Sequence, residues 1–177
     1  MAPTTAGGSA RTVQTPVQTP MGEKHPFAGA SDSCQAHVSA ANRAVGAIAR
    51  RTRLASPRDI ELFTELTGDR NPLHYDEAAG ASRFGGLIIQ GGITSGLLNA
   101  VVAEDLPGPG SVFLNVEWDF EAPVRPGDEI TAEVEVLEAR EDKPITRLQT
   151  TVSNQDGIVV LDGTALVWTE PIAEPSV

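Results

Sequence analysis

Basic residues are scarce in this chain. Thirteen Lys and Arg stand against 24 Asp and Glu, a net charge of −11. Proteins that grip nucleic acid or an anionic membrane surface carry a basic face toward phosphate, so neither partner is expected. Cysteine is scarcer still: the single Cys34 excludes an intrachain disulfide and a multi-Cys zinc site. Three histidines, His25, His37 and His74, leave little for a His-rich metal centre. No apolar run approaches the roughly 18 residues of a membrane-spanning helix. The first residues lack the basic-then-apolar order of a secretory signal. These absences leave a soluble protein of a reducing compartment, expected in the cytoplasm and without a metal.

What is present is core-forming material. Of 177 residues, 40% are hydrophobic and 21% charged, which suits one ordinary domain with a tail. Composition shifts near residue 45. Residues 1–44 hold 3 basic and 2 acidic side chains, and residues 45–177 hold 10 and 22. The first part is rich in Thr, Pro, Gly and Ala, as in Thr15-Pro16-Val17-Gln18-Thr19-Pro20. It has too few large apolar groups to offset the entropy of ordering. Residues 1–44 therefore read as a disordered extension, with residues 36–49 a short helix or a lead into a strand, and 45–177 as the folded domain.

Ser56-Pro57-Arg58-Asp59 is a helix start, with a hydroxyl cap, a proline at the first position and an acid in the first turn. Ile60, Phe63 and Leu66 follow at helical spacing, with Leu62 beside them, and Gly68 stops the helix. A second helix is expected over 92–103, where Ile93, Leu97, Leu98, Val101 and Val102 are separated by small residues and no charge occurs. A helix without a charged face is buried on most sides. Beyond Pro107-Gly108-Pro109-Gly110 the pattern changes to period two. Val112, Leu114, Val116, Trp118 and Phe120 are expected on one face of a strand. Ile130, Ala132, Val134 and Val136 line a second strand after the turn at Pro126-Gly127-Asp128. Leu148, Thr150 and Val152 line a third. Asp156-Gly157 turns the chain into a last strand over 158–168, kinked at Gly163. An antiparallel meander with one apolar face needs a cover, and the uncharged helix is the candidate. The expected class is α+β: a hot-dog fold, an antiparallel sheet wrapped around a central buried helix.

The chemistry-bearing stretch is Thr67-Gly68-Asp69-Arg70-Asn71-Pro72-Leu73-His74-Tyr75-Asp76. Singly, these residues have ordinary uses: an Asp in a turn, a His on a surface, Asn-Pro as punctuation. Together they do more. Gly68 releases the chain from the helix, and proline keeps Asn71 out of the α region. Asp69 and His74 then sit on a short stiff loop where a carboxylate and an imidazole can converge on one water. Downstream, Gln90-Gly91-Gly92 opens the uncharged helix, whose first backbone N–H groups lack partners within it.

The run Phe63 to Asp76, with Ala81 and Phe84-Gly85 beyond it, resembles the signature of the MaoC-like dehydratases, the (R)-specific enoyl-CoA hydratases of the hot-dog fold. The likeness continues through Ile88-Ile89-Gln90-Gly91 and Ala122-Pro123-Val124-Arg125-Pro126-Gly127-Asp128, and spans roughly residues 45–170. The resemblance implies reversible hydration of a trans-2-enoyl thioester to an (R)-3-hydroxyacyl thioester, usually on coenzyme A. It assigns Asp69 and His74 as the catalytic pair and Asn71 as support for their loop. The reaction builds negative charge on the thioester oxygen, for which the N–H groups of Gly91 and Gly92 are candidates. Glycine there lets a substrate approach the backbone. Gln90 stands where the family usually has His, and it cannot titrate. Ser95 and Thr94 are candidates for a hydroxyl contact.

No cofactor is expected beyond the coenzyme A carried by the substrate. Arg83, Arg125, Arg147 and the Arg50-Arg51-Arg53 run are the cations available for its phosphates, none singled out. A homodimer, or an assembly of dimers, is the expected partner state. Thioester hydrolysis and a non-catalytic acyl-thioester-binding subunit are the alternatives.

Overall fold

The computed structural model describes residues 43–172. The tail, including Cys34, His25 and His37, lies outside them, and so does most of the expected 1–44 extension. The element order is β1 (Ile48–Leu54), α1 (Pro57–Thr67), two short 3₁₀ turns (Pro72–His74 and Glu77–Ala81), α2 (Gly91–Glu104), β2 (Ser111–Asp119), β3 (Glu129–Ala139), β4 (Ile145–Asn154) and β5 (Val159–Thr169).

The five strands make one sheet in the order β1-β3-β4-β5-β2, with every neighbouring pair antiparallel. Helix α2 packs against β1, β2, β3 and β4, with α1 against its outer side. The α+β hot-dog arrangement expected from the sequence is the one found. Its core is built where period two meets the helix. Ile130, Ala132, Val134 and Val136 of β3, Leu148 and Val152 of β4, and Leu98 and Val101 of α2 are all fully buried. Each large side chain buried in this way contributes about 1.5–3 kcal/mol relative to exposure.

Helix α1 begins as its sequence dictates. The Asp59 carboxylate accepts from both the backbone N–H (2.8 Å) and the hydroxyl (2.8 Å) of Ser56. It ends at Gly68, whose left-handed φ of 79° lets its N–H reach the Thr64 carbonyl at 2.8 Å. A β-carbon would strain that conformation, so glycine is the residue that can turn here.

One open expectation is settled and three need correction. Strand β1 begins where the sequence left a short helix or a lead into a strand open: its arginines carry no apolar alternation, because this edge strand bears charge on both faces, with Arg51 and Arg53 opposite the buried Ala132 and Ile130. Arg50 pairs with Glu133, Arg51 with Asp105 and Arg53 with Asp59. In α1 the buried residues are Ile60 and Thr64, while Leu66 is 83% exposed. In β2 the register shifts between Phe113 and Asn115. The extra residue changes the phase of the strand. Phe113 and Trp118 consequently pack against the core, edge to face with centroids 5.7 Å apart, whereas Val112, Val116 and Phe120 stay exposed. Lastly, α2 is not buried on most sides in the single chain. Ile93, Thr94, Leu97, Leu98, Val101 and Val102 face inward, but Gly91, Gly92, Gly96 and Asn99 are exposed.

Candidate active site

The bend after Gly68 is held by its own side chains. Asp69 Oδ1 accepts from the Asn71 N–H (3.0 Å), and Asn71 Oδ1 accepts from the Leu73 N–H (3.1 Å). Two successive Asx turns, followed by a proline at the first position of a 3₁₀ turn, leave this segment little freedom. His74 closes that turn. It is 8% exposed, against 37% for the Asp69 side chain. The bend thereby carries a buried imidazole toward a half-exposed carboxylate, with Nε2 3.6 Å from Asp69 Oδ2.

The other imidazole nitrogen fixes the tautomer. His74 Nδ1 lies 2.8 Å from the Ile88 carbonyl, which can only accept, so Nδ1 carries a proton. In the neutral ring Nε2 is then a lone pair facing the carboxylate. At 3.6 Å the two do not hydrogen-bond directly. They are spaced to share a water, which can donate one hydrogen to each.

The Ile88 carbonyl is itself held. Ile88 N–H donates to the Leu73 carbonyl at 3.2 Å, and Ile89 N–H to Val124 at 2.8 Å. Arg125 donates from Nη2 to the Phe84 carbonyl and from Nη1 to Leu87 at 3.4 Å. Arg125 is thus turned into the loop rather than presented to a ligand phosphate. The Arg50-Arg51-Arg53 run is likewise engaged in ion pairs.

Two residues after Ile88 the chain enters α2, with Gln90 as its N-cap, 2% exposed. Gln90 reaches back to α1: Nε2 donates to Thr64 Oγ1 at 3.2 Å and lies 3.5 Å from the Ile60 carbonyl. The Ile93 N–H is taken by the Gln90 carbonyl at 3.0 Å. Of the first three amides of α2, those of Gly91 and Gly92 remain for an outside acceptor. Their lack of a side chain has a packing reason. A β-carbon on Gly92 would overlap the Phe63 ring, and one on Gly91 would stand 2.9 Å from the Phe120 ring. Aromatic rings, rather than open space for a substrate, occupy the positions those β-carbons would take. Ser95 turns its hydroxyl onto the Gly92 carbonyl at 3.3 Å, and Thr94 is buried.

A groove of about 390 Å³ runs between α1 and α2, lined by residues that include Leu62, Phe63, Leu66, Gly92, Gly96 and Ala100; neither Asp69 nor His74 lines it. Sequence reasoning missed Thr64, Tyr75 and the Ile88 carbonyl. A threonine inside a helix and a backbone oxygen carry no pattern that marks them.

The comparisons with known proteins point one way. The MaoC like domain family matches residues 26–157. The (R)-specific enoyl-CoA hydratase of Aeromonas caviae is 39% identical over 131 residues, 73% of this chain and 98% of that one. The 3-hydroxybutyryl-CoA dehydratase of Methylorubrum extorquens is 46% identical over 113 residues, 63% of this chain and 71% of that one. Among solved structures, the unliganded R-hydratase from Pseudomonas aeruginosa superposes with a TM-score of 0.67 at 37% identity, covering 76% of this chain and 91% of that one. Among the described residues no helix is long and apolar enough to cross a membrane.

Proposed function

The chain belongs to the MaoC-like domain family, and from that premise we propose that it catalyses the reversible hydration of a trans-2-enoyl-CoA to an (R)-3-hydroxyacyl-CoA, with Asp69 and His74 as the catalytic pair. It is a hydro-lyase in this reading. The observation that carries it is the His74 Nε2 to Asp69 Oδ2 spacing of 3.6 Å, with Nδ1 tied to the Ile88 carbonyl.

The reaction follows from that geometry. A water between the two side chains is polarised by both. As its oxygen attacks C3 of the enoyl thioester, one proton passes to the pair, and the electron pair of the double bond moves toward the thioester carbonyl. The enolate-like oxygen gains negative charge. The Gly91 and Gly92 amides, at the positive end of α2, are the donors we assign to it. The pair then returns a proton to C2, so one water is added and no proton is lost. Asn71 supports the bend. Gln90 positions the helix start instead of exchanging protons, which fits its burial and its bonds to α1. No redox group or metal takes part in these steps.

The Asp69 side of the pair is half-exposed in the single chain. Strand β2 forms a sheet edge that carries the exposed Val112 and Val116. Phe120, which packs beside Gly91, follows directly and is exposed as well. We propose a homodimer formed on that edge, so that a second protomer closes the site. Sedimentation equilibrium is expected to give twice the 18.6 kDa chain mass; a monomer at micromolar concentration removes this part of the reading.

The activity is tested by mixing the protein with crotonyl-CoA and longer trans-2-enoyl-CoAs. The conjugated thioester absorbance is expected to fall, with (R)-3-hydroxyacyl-CoA as product. Free thiol release without hydration identifies a thioesterase instead. Thermal stabilisation by acyl-CoA without turnover identifies a binding subunit.

A further inference from the structure

We propose that Thr64 is a positioning residue: its hydroxyl is the strut that sets the distance between the Asp69/His74 bend and the start of α2. The proposal rests on the hydratase reading and goes beyond it, since Thr64 lies in the middle of a helix and touches neither reacting group.

Thr64 is 6% exposed, on the inner side of α1. Its hydroxyl donates to the Asp69 carbonyl at 2.6 Å. That carbonyl can only accept, so the single hydroxyl hydrogen of Thr64 is committed there. The remaining two contacts must then be made to its lone pairs. Gln90 Nε2 donates at 3.2 Å, and the Tyr75 hydroxyl, whose hydrogen is shared with the Ile60 carbonyl at 3.3 Å, donates from the far side of the bend. One donor and two acceptor sites are all a threonine hydroxyl has, and all three are used.

The three partners belong to separate parts of the site. Asp69 opens the bend, Tyr75 follows His74 directly, and Gln90 immediately precedes Gly91. One oxygen therefore ties both ends of the catalytic bend to the residue before the proposed oxyanion amides. The same bonds fix the orientation of the Gln90 amide. With Nε2 committed to Thr64, its Oε1 is buried with no donor among the described residues, so the amide has no second anchoring bond on that side. A hydration transition state needs the water at C3 and the donors at the thioester oxygen to hold one fixed separation. Misplacement of about 1 Å lowers rates by roughly 100-fold.

The test compares Thr64→Val, which keeps shape and loses the hydroxyl, with Thr64→Ser, which keeps the hydroxyl. With a trans-2-enoyl-CoA that the wild type hydrates, Thr64→Val is expected to lower kcat roughly 10- to 100-fold with KM within about threefold. Thr64→Ser is expected to stay within about threefold of wild type in both. A non-catalytic readout accompanies the kinetics. Tyr75 is the only tyrosine of the chain, so the ¹³Cζ resonance of labelled tyrosine reports its hydroxyl bond. It should move in Thr64→Val and stay in Thr64→Ser. Wild-type kcat in a folded Thr64→Val protein overturns the proposal, whether or not the resonance moves. A wild type that hydrates no enoyl thioester sinks the hydratase reading itself. If Thr64→Val does not fold, Tyr75→Phe takes its place. Its side chain is half-exposed, and it removes one of the two donors to Thr64. A kcat lowered at least threefold, with KM unchanged, supports the strut, and an unchanged kcat overturns it.

Discussion

Asp69→Asn is expected to leave the bend standing and abolish most of the reaction. The amide is isosteric with the carboxylate, and its oxygen can still accept from the Asn71 N–H as Asp69 Oδ1 does now. What is lost is the charge facing His74 Nε2, and with it the ability to draw a proton from the shared water. Loss of a positioned acid–base group lowers rates by about 10²–10⁴. The histidine can be divided in the same way. In His74→Asn the side-chain amide nitrogen falls near the Nδ1 position and can keep the bond to the Ile88 carbonyl, while nothing replaces Nε2. In His74→Gln the amide reaches the Nε2 position, and the Ile88 carbonyl loses its donor. The Asn variant is expected to fold like wild type with kcat/KM lowered by about 10²–10⁴. The Gln variant is expected to lose stability as well, by about 1–3 kcal/mol for the orphaned carbonyl. Steady-state hydration of crotonyl-CoA, with circular dichroism melts on the same samples, separates the two effects. Full rate in both Asp69→Asn and His74→Asn removes these side chains from the mechanism.

The largest expected loss of stability comes from the sheet. Gly163 in β5 pairs with Trp118 of β2 at a φ of 154°, and a β-carbon there would overlap the Glu117 carbonyl. The obstacle is backbone in a paired strand, not the mobile end of a side chain, so local adjustment cannot clear it. Gly163→Ala therefore combines backbone strain of about 1–3 kcal/mol with overpacking of about 1–3 kcal/mol. At roughly 3 °C per kcal/mol for a domain of this size, Tm should fall by about 6–18 °C. Strand β2 is an edge strand whose one neighbour in the sheet is β5, the strand that carries Gly163. Amide exchange in the Gly163→Ala protein should accelerate first over residues 112–118. A Tm within about 2 °C of wild type would show that the strands separate there without loss. The proposed dimer edge is the same strand, so this variant is also expected to dissociate more readily.

Much of the scaffold could be read from residues taken in order. The hydroxyl, proline and acid at 56–59 mark a helix start through contacts within four residues of chain. The alternations at 130–136 and 148–152 mark strands because a pleated ribbon can bury only every second side chain. The left-handed turn at Gly68 and the Asn71-Pro72 restriction are local as well, and they bring Asp69 toward His74. Strand β1 is poorly marked because Arg50 and Arg51 find their acids at Glu133 and Asp105, 83 and 54 residues away, and no local pattern announces partners that distant. The alternation of β2 misled because a single extra residue near Leu114 inverts the phase. Such a bulge is set by the fit to β5, not by the strand itself.

The sequence by itself determined both helices, the strands β3 to β5, the α+β class and the pairing of a carboxylate with an imidazole across a stiff bend, since each depends on backbone preferences acting over a few residues. Only the tertiary structure decided which histidine nitrogen holds the proton, because the Ile88 carbonyl that fixes it lies 14 residues away. It also decided that Arg125 serves the loop, that Gly92 makes room for Phe63, and that Thr64 joins α1 to the bend and to Gln90. Hydrogen-bond partners and excluded volume are set by how distant segments pack, and no spacing along the chain encodes them.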